Sequence, residues 1–520
     1  MAMGAALAAD APGQAPKRGL ELQVNSYTLE QQERTAAAMD ADGDFVLVWE
    51  SEGQDGNREG IFAQRFSSNG TRQGIEFQVN AYTTGPTFGT GIQDQPDVVS
   101  EENGDFLVVW RAFAQDGNSY CVVGRRYDSS GGAIDAEFVI NSHTTGLQAS
   151  PAAGMDADGD FVVAWQSFLQ DGSSYGVFAR RFDSSGTPQA AEFHVNAFTA
   201  NAQNDPAVAM HDDGRFVIAW ESALQDGAAT PSIFARRYDS GGAAQASEFQ
   251  VNTYTSGNQT NAAVAFDDSG AFVIVWDSAG QDGAANGVFL QRFDSSGQAI
   301  AAELQVNTFT VNNQYDAGVA TRGDGDFLVV WAGQSQDPNV GIFAQRFTSS
   351  GARLGVEFQI NAYTSGAQTH PAIAMDGDGN FVVAWESTHD GAIEGVFAQR
   401  YSGSFATLDV DANGAFAPLT DALLVLRYAF GFRGATLVAG AVGGGCTRCT
   451  APAIEAYLAS MVDQLDIDGN GALEPLTDAL LILRRGFGFT GSTLVNGAIG
   501  AGCTRCDSQA IETYLAALIG

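Results

Sequence analysis

Residues 203–222 read QNDPAVAMHDDGRFVIAWES, and this stretch decides the fold because close copies of it recur along the chain. Each copy carries one tryptophan: Trp49, Trp110, Trp165, Trp220, Trp276, Trp331 and Trp385. The steps between them are 61, 55, 55, 56, 55 and 54 residues, so one module occurs seven times over about three quarters of the 520 residues. A regular period of this length marks a repeat architecture in which each unit buries its apolar face on its neighbours.

Working outward, an averaged copy runs E-F-Q-V-N-x-Y-T, a polar loop with Gln, P-A-V-A-M-D-x-D-G-D-F-V-V-A-W-E-S, Q-D-G, then G-V-F-A-R-R-F-D-S-S-G. Four short β patterns separated by turn residues are the content of one four-stranded propeller blade. Asp-Gly and Asn-Gly between the second and third patterns suit a tight hairpin, since glycine accepts positive φ. The strand before this hairpin is small and apolar (Ala36–Met39, Ala207–Met210, Ala372–Met375), as expected where blades converge on an axis. The chain starts its array with a lone E-L-Q-V-N strand, Glu21 to Asn25, and the seventh copy stops at Tyr401-Ser402-Gly403 without one. The first strand therefore completes the last blade and removes an exposed edge. The expected fold is all-β: a seven-bladed propeller over 19–403, with an open β-solenoid as the alternative.

Comparison among copies substitutes for an alignment. Glu opens and Asn closes every outer strand (Glu21, Glu76, Glu137, Glu192, Glu248, Glu303, Glu357; Asn25, Asn80, Asn141, Asn196, Asn252, Asn307, Asn361). Gln sits in the polar loop seven residues before the end of every inner strand (Gln32, Gln93, Gln148, Gln203, Gln259, Gln314, Gln368), and Arg lies in every third strand (Arg65, Arg126, Arg181, Arg237, Arg292, Arg346, Arg400). Residues present in every copy serve the copy, so these read as scaffold: a Glu–Arg cross-strand pair, and amides satisfying loop backbone. Asp55, Asp116, Asp171, Asp226, Asp282, Asp337 and Asp390 form a candidate ligand face for cations or sugar hydroxyls, against the plainer reading of a side-chain cap in an Asp-Gly turn. The D-x-D-G hairpins on the other face, such as Asp156-Ala157-Asp158, resemble fragments of integrin-type calcium loops but are short; acidic turns are the default reading.

From about residue 404 a second duplication begins. Leu408-Asp409-Val410-Asp411-Ala412-Asn413-Gly414 returns as Leu465-Asp466-Ile467-Asp468-Gly469-Asn470-Gly471. Each is followed by P-L-T-D-A-L-L-x-L-R, an expected amphipathic helix, then F-G-F-x-G, C-T-R-C and a short helix at 454–462 or 511–518. Carboxylates at positions one and three, an amide at five and Gly at six form the first half of an EF-hand-type loop. This tail, 404–520, resembles the dockerin family, whose paired half-EF-hand loops bind calcium and dock onto cohesin modules. The resemblance implies calcium ligands at Asp409, Asp411 and Asn413, the Ala415 carbonyl, then Asp466, Asp468, Asn470, the Ala472 carbonyl and Glu474. Position twelve holds Thr420 or Thr477, with Asp421 or Asp478 one residue later, a departure from the family pattern at the closing ligand.

Cys446, Cys449, Cys503 and Cys506 are disulfide candidates, within each C-T-R-C or joining the two units; a four-thiolate zinc site is the alternative. Cys121 reads as a lone buried thiol. The net charge of −36 argues against nucleic acid and anionic membranes and favours divalent cations. No stretch approaches the length of a membrane span. Residues 1–18 resemble a leader or signal-peptide remnant, with Ala6-Leu7-Ala8 as cleavage site, so export to the cell surface or medium is expected. The five histidines occupy unlike repeat positions and no catalytic signature is visible, so no catalytic residue is assigned. The functional expectation is an extracellular binding, adhesion or scaffold protein whose propeller meets a protein or glycan. The tail would attach it to a cohesin-like partner or another copy. The alternative is a carbohydrate-active enzyme or lectin, to be recognised by a polar cluster that breaks seven-fold sameness at the channel mouth, with copy two and its insertion at 85–92 the first place to look.

Overall fold

The structure, a computed structural model, describes residues 17–83, 91–283, 285–337, 339–390, 394–403, 408–413, 415–462 and 464–519. Most of the leader-like segment, residues 85–90 of the copy-two insertion, Gly414 and the side chain of Asp390 lie outside the described set. Two compact units are present: Lys17–Ala352 with Gln359–Tyr401, and Ser402–Gly520 with Arg353–Phe358.

Seven four-stranded antiparallel sheets make a seven-bladed propeller. In the third blade the strands are Gln148–Met155, Phe161–Phe168, Tyr175–Phe182 and Phe193–His194, innermost first. The hairpin between the first two turns at Gly159, whose φ of 80° is a left-handed conformation that side chains resist. Asp156 Oδ1 accepts the N–H groups of Asp158 and Asp160 there at 3.1 and 2.9 Å. The acidic hairpins are thus turn caps. The ring closes as expected: Leu22 pairs with Ala398 and Gln23 with Phe397, so Leu22–Gln23 is the fourth strand of the last blade.

The core lies between blades. All seven tryptophans are fully buried. Trp165, Phe161 and Phe178 of one blade pack on Leu107, Val109, Val122 and Ile140 of the one before. Burying an indole removes roughly 200 Å² from water, worth on the order of 5 kcal/mol before entropic costs. The bulky alternation of the second and third strands explains why each blade needs its neighbour.

The recurring polar residues join blades as well, but not as the sequence suggested. In the copies whose contacts are described, Glu and Arg do not pair across a hairpin. Glu76, Glu137 and Glu192 reach back to accept backbone N–H groups of Ser26, Ala81 and Ser142 in the preceding blade, at 2.6, 2.9 and 2.6 Å. Glu21 does the same to Ala362 N at 2.8 Å, across the ring closure. Arg65, Arg126, Arg181, Arg237, Arg292 and Arg400 reach forward and donate to the Ser-Ser-Gly turn carbonyls of the next blade. A carboxylate finds better partners in those exposed turn amides than in an arginine of the adjacent strand. The amides behave as expected: Asn196 Oδ1 accepts the Val177 N–H at 2.7 Å, and its Nδ2 donates to the Phe198 carbonyl and to Gln203 Oε1.

The tail has its own core, in which Leu408, Val410, Leu424, Val425, Ile467, Leu481 and Ile482 meet Ile454, Leu458, Ile511 and Leu515. Helices Asp421–Ala429 and Asp478–Gly486 stand where the P-L-T-D motif places them. The second helices, Ala451–Ser460 and Ser508–Ile519, start three residues earlier than read. Pro452 sits in the first turn of the former, where a missing N–H costs nothing. Two short helices, Ala435–Val438 and Gly491–Val495, had no signal.

Candidate functional site

Every inner strand carries a β-bulge just after its Gln, as between Ala149 and Ala152. The bulged residues are Arg34, Gln95, Ser150, Asp205, Asn261, Asp316 and His370, all with φ between 47° and 55°. The bulge turns each side chain away from the sheet, and the strands' convergence gathers all seven positions at one mouth of the central channel. Six of them, with the neighbours Thr35, Pro96, Pro151, Ala262, Ala317 and Pro371, line a cavity of 380 Å³. Where the scaffold positions repeat one residue seven times, this position holds six residue types in seven copies.

These residues and their neighbours link into a closed circuit of hydrogen bonds and ion pairs. His370 Nδ1 lies 2.8 Å from Glu386 Oε2, and Glu386 Oε1 accepts the Arg34 N–H at 2.6 Å. Arg34 Nε is 3.4 Å from Glu50 Oε1, and Glu50 Oε2 accepts the Gln95 N–H at 3.0 Å. Gln95 Oε1 accepts the Ser150 N–H, and Ser150 Oγ donates to Asp205 Oδ1 at 2.9 Å. Asn204 Nδ2 donates to Asp205 Oδ2 at 2.7 Å and to Glu221, which accepts the Asn261 N–H at 2.9 Å. Asn261 Nδ2 donates to Asp316 Oδ1 at 3.2 Å and to Asp277 Oδ2 at 2.8 Å. Asp316 Oδ2 returns to His370 Nε2 at 3.5 Å.

The circuit has an upper and a lower tier. The upper groups face the channel: His370 and Arg34 are half exposed. The lower groups stand one residue after the tryptophans, and Glu50, Glu221, Asp277 and Glu386 are buried beneath the bulges. Burial raises Glu50 and Asp277 to about 8 and Glu221 to about 7. Near neutrality these acids therefore retain much of their proton and act as neutral supports. His370 is raised as well, to about 9 through its bond to Glu386, and a raised base stays cationic near neutrality. Burial also raises Asp316. Glu33 and Glu394 place carboxylate oxygens within 4.8 Å of Glu386. Copy two differs in the lower tier: Arg111 pairs with Asp94 through two nitrogens and lies 4.2 Å from the Tyr120 ring centre.

The Asp-Gly turn residues are differently engaged. Asp55, Asp116, Asp171, Asp226 and Asp337 each accept the N–H two residues on, between 2.9 and 3.3 Å. Asp226 Oδ2 takes the Ser232 hydroxyl at 2.7 Å, and Asp282 Oδ2 accepts from Asn307 at 3.5 Å. Asp390 ends the short 3-10 helix Thr388–Asp390. Asp55, Asp116, Asp171, Asp226 and Asp337 therefore cap their turns. The bulge ring was not assigned residue by residue from sequence; its signal was divergence at a fixed offset, two residues after the constant Gln.

In the tail, Asp409, Asp411 and Asp421 bring ligand oxygens within 4.8 Å of one another, and Asp466, Asp468 and Asp478 do so in the second unit. The offset Asp421 and Asp478 thus join the two clusters despite standing one residue later than the family pattern. Asp411 is fully buried and its Oδ1 has no hydrogen-bond partner among the described residues. Burial raises Asp411, Asp468 and Asp478. Asn413 and Asn470 accept the Ala415 and Ala472 N–H groups at 3.1 and 3.0 Å, which shapes the turn. Glu474 is exposed and stands outside the trio of the second loop. Cys446–Cys449 and Cys503–Cys506 are disulfides, each within its own C-T-R-C, so the tetrathiolate zinc alternative and the unit-joining pairing fall away. Cys121 is a buried free thiol, pushed up to about 12 by burial.

No protein-family model matches the chain, and no curated protein matches it. Among solved structures it resembles a protein of unknown function from Dyadobacter fermentans, at 15% identity and a TM-score of 0.45 over 60% of this chain and 95% of that one. It also resembles an α-L-arabinanase from Penicillium chrysogenum complexed with arabinobiose: 13% identity, TM-score 0.43, 64% of this chain and 100% of the other. An α-L-arabinofuranosidase from Fusarium graminearum gives 13% identity and a TM-score of 0.43 over 61% and 93%. None of the three lends a residue role to this chain. No described helix is long and apolar enough to cross a membrane.

Proposed function

We propose that this is an exported carbohydrate-binding protein that takes a saccharide at the channel mouth, with a calcium-stabilised tail serving for attachment. The observation that carries the reading is the bulge ring. Seven blades share their scaffold residues, yet diverge into Arg, Gln, Ser, Asp, Asn, Asp and His at the bulge, and six of these residues, all but Asp205, line one 380 Å³ cavity. Carboxylates, amides, a hydroxyl and two cations offer both donors and acceptors, which is what vicinal hydroxyls require. The lower tier holds those groups in place, so little side-chain entropy is lost on binding.

Glycoside cleavage is the second reading, favoured by Asp316, a carboxyl raised by burial and facing the cavity beside other carboxylates, as a general acid must be. In the tail, the resemblance to dockerins and the orphaned, buried Asp411 Oδ1 both support calcium. Asp409, Asp411 and Asp421, and Asp466, Asp468 and Asp478, would hold it as hard oxygen donors. The bound ion would neutralise each carboxylate trio. Docking to a cohesin-like partner, or to a second copy, is the corresponding proposal for attachment.

A glycan array, followed by calorimetry on the strongest sugars and on arabinan oligosaccharides, tests the mouth. Wild type should bind at least one sugar, and Asp205→Asn, Asp316→Asn and His370→Ala should each weaken it about ten-fold or more, the scale of one or two lost hydrogen bonds to charged groups. Reducing-sugar release abolished by Asp316→Asn would turn the site into a hydrolase centre. Absence of sugar binding and release would overturn the carbohydrate reading.

A further inference from the structure

The C-T-R-C motif does more in the fold than close a small ring. Thr447 and Arg448, the two residues enclosed by the Cys446–Cys449 disulfide, are the ones that grip the first Asp loop. The Thr447 N–H and hydroxyl both donate to the Ala412 carbonyl, at 3.2 and 3.1 Å. The Arg448 N–H donates to the Asp411 carbonyl at 3.0 Å, and its guanidinium donates to the Val410 carbonyl at 2.7 Å. Just before the motif, the Gly443 N–H donates to Asp411 Oδ2.

The second unit repeats this pattern. Thr504 donates through its N–H to the Asp468 carbonyl and through its hydroxyl to the Gly469 carbonyl, at 3.1 and 3.0 Å. Arg505 donates from its backbone to the Asp468 carbonyl at 2.9 Å and from Nε to the Ile467 carbonyl at 2.8 Å, and Gly500 N–H reaches Asp468 Oδ2. Each guanidinium is backed by a tyrosine ring of the second helix, Tyr457 at 3.6 Å and Tyr514 at 4.0 Å. Cys449 and Cys506 are exposed, so a reductant can reach both bridges.

We propose that each C-T-R-C ring is a redox-set clamp on its cation loop, with Arg448 and Arg505 as positioning residues: closed, it holds the loop in its calcium-binding shape, and opened, it releases the loop. This rests on the calcium reading of the tail. In the oxidised form the ring presents the Thr and Arg donors at fixed spacing. Four backbone carbonyls of each loop are thereby held before the ion arrives, while the Gly443 or Gly500 N–H just ahead of the ring holds one ligand carboxylate, which is preorganisation. A dithiol reductant opens the clamp by exchange. Its thiolate attacks one cysteine sulfur and expels the other as a thiolate. Its second thiol then attacks the reductant's own sulfur in the mixed disulfide and releases the first cysteine. The reductant leaves as a cyclic disulfide, two electrons poorer, and its two protons end on the cysteine thiols.

Calcium titration calorimetry on the full chain decides the matter, comparing oxidised protein, protein reduced with dithiothreitol and alkylated, and the four-fold Cys→Ser variant at 446, 449, 503 and 506. Losing a closure of this size should weaken calcium about ten-fold in the reduced and variant forms. Arg448→Gln with Arg505→Gln should weaken it similarly with both disulfides intact, a readout that does not depend on reductant or on cysteine. Equal affinity in all forms would overturn the clamp and leave calcium binding standing. Absence of calcium binding in the oxidised protein would overturn the calcium reading and the clamp with it. The propeller's melting transition, monitored alongside, should stay in place throughout.

Discussion

Asp277 shows how a single residue couples the scaffold to the mouth. Its side chain is buried one residue after Trp276, accepts from Asn261 at 2.8 Å and takes the Asp316 N–H at 2.9 Å. Burial lifts it from 3.8 to about 8. Between those values the folded chain binds more protons at this site than the unfolded chain, so its contribution to stability is complete below about pH 4 and is lost as pH rises through about 8. Glu50 and Glu221 act in the same direction. Propeller melting measured from pH 6 to pH 9 should therefore fall, and Asp277→Asn should flatten part of that fall. A melt of Asp277→Asn as steep as wild type would remove the residue from the account. The constant Asn, Gln and Glu were legible as scaffold because seven copies repeat them. Their partners were less so: the turn amides of a neighbouring blade are distant in sequence, and Glu76, Glu137 and Glu192 take those amides rather than the arginine that local strand order offers.

At the scale of elements, two strand residues close the ring. Leu22 and Gln23 pair with the Gly395–Tyr401 strand, Val24 N–H donates to the Val396 carbonyl at 2.8 Å, and Asn25 Oδ1 accepts the Val396 N–H at 3.0 Å. Val24 is fully buried among Phe45, Trp49 and Val396. A chain beginning at Ser26 would leave the Gly395–Tyr401 edge bare and this core open. It should lose several kcal/mol of stability and aggregate at concentrations where wild type stays dispersed. Light scattering and denaturant melts check this; an unchanged midpoint would argue for an open array. This element was legible because counting outer strands leaves one extra at the start and one missing at the end. The short helices Ala435–Val438 and Gly491–Val495 were not, since four or five residues carry no periodicity.

For the whole molecule, the propeller's cores lie between its blades, whereas the tail builds one of its own from Leu408 to Leu518. Calorimetry should then resolve two transitions, and a chelator should lower only the tail's, because an ion bound to the folded loops stabilises them by mass action. A tail transition indifferent to chelator would sink calcium binding. Repetition itself determined the blade count, the closure and the paired loops, because a period and its interruptions are written in one dimension. Tertiary structure alone decided where function can lie. The bulge ring looks like seven unrelated substitutions along the chain. It becomes one site only when seven inner strands converge, and their bulges turn residues some 55 positions apart onto a single cavity. The partners of the C-T-R-C motif were hidden for the same reason: they sit more than thirty residues away, at carbonyls that have no sequence signature.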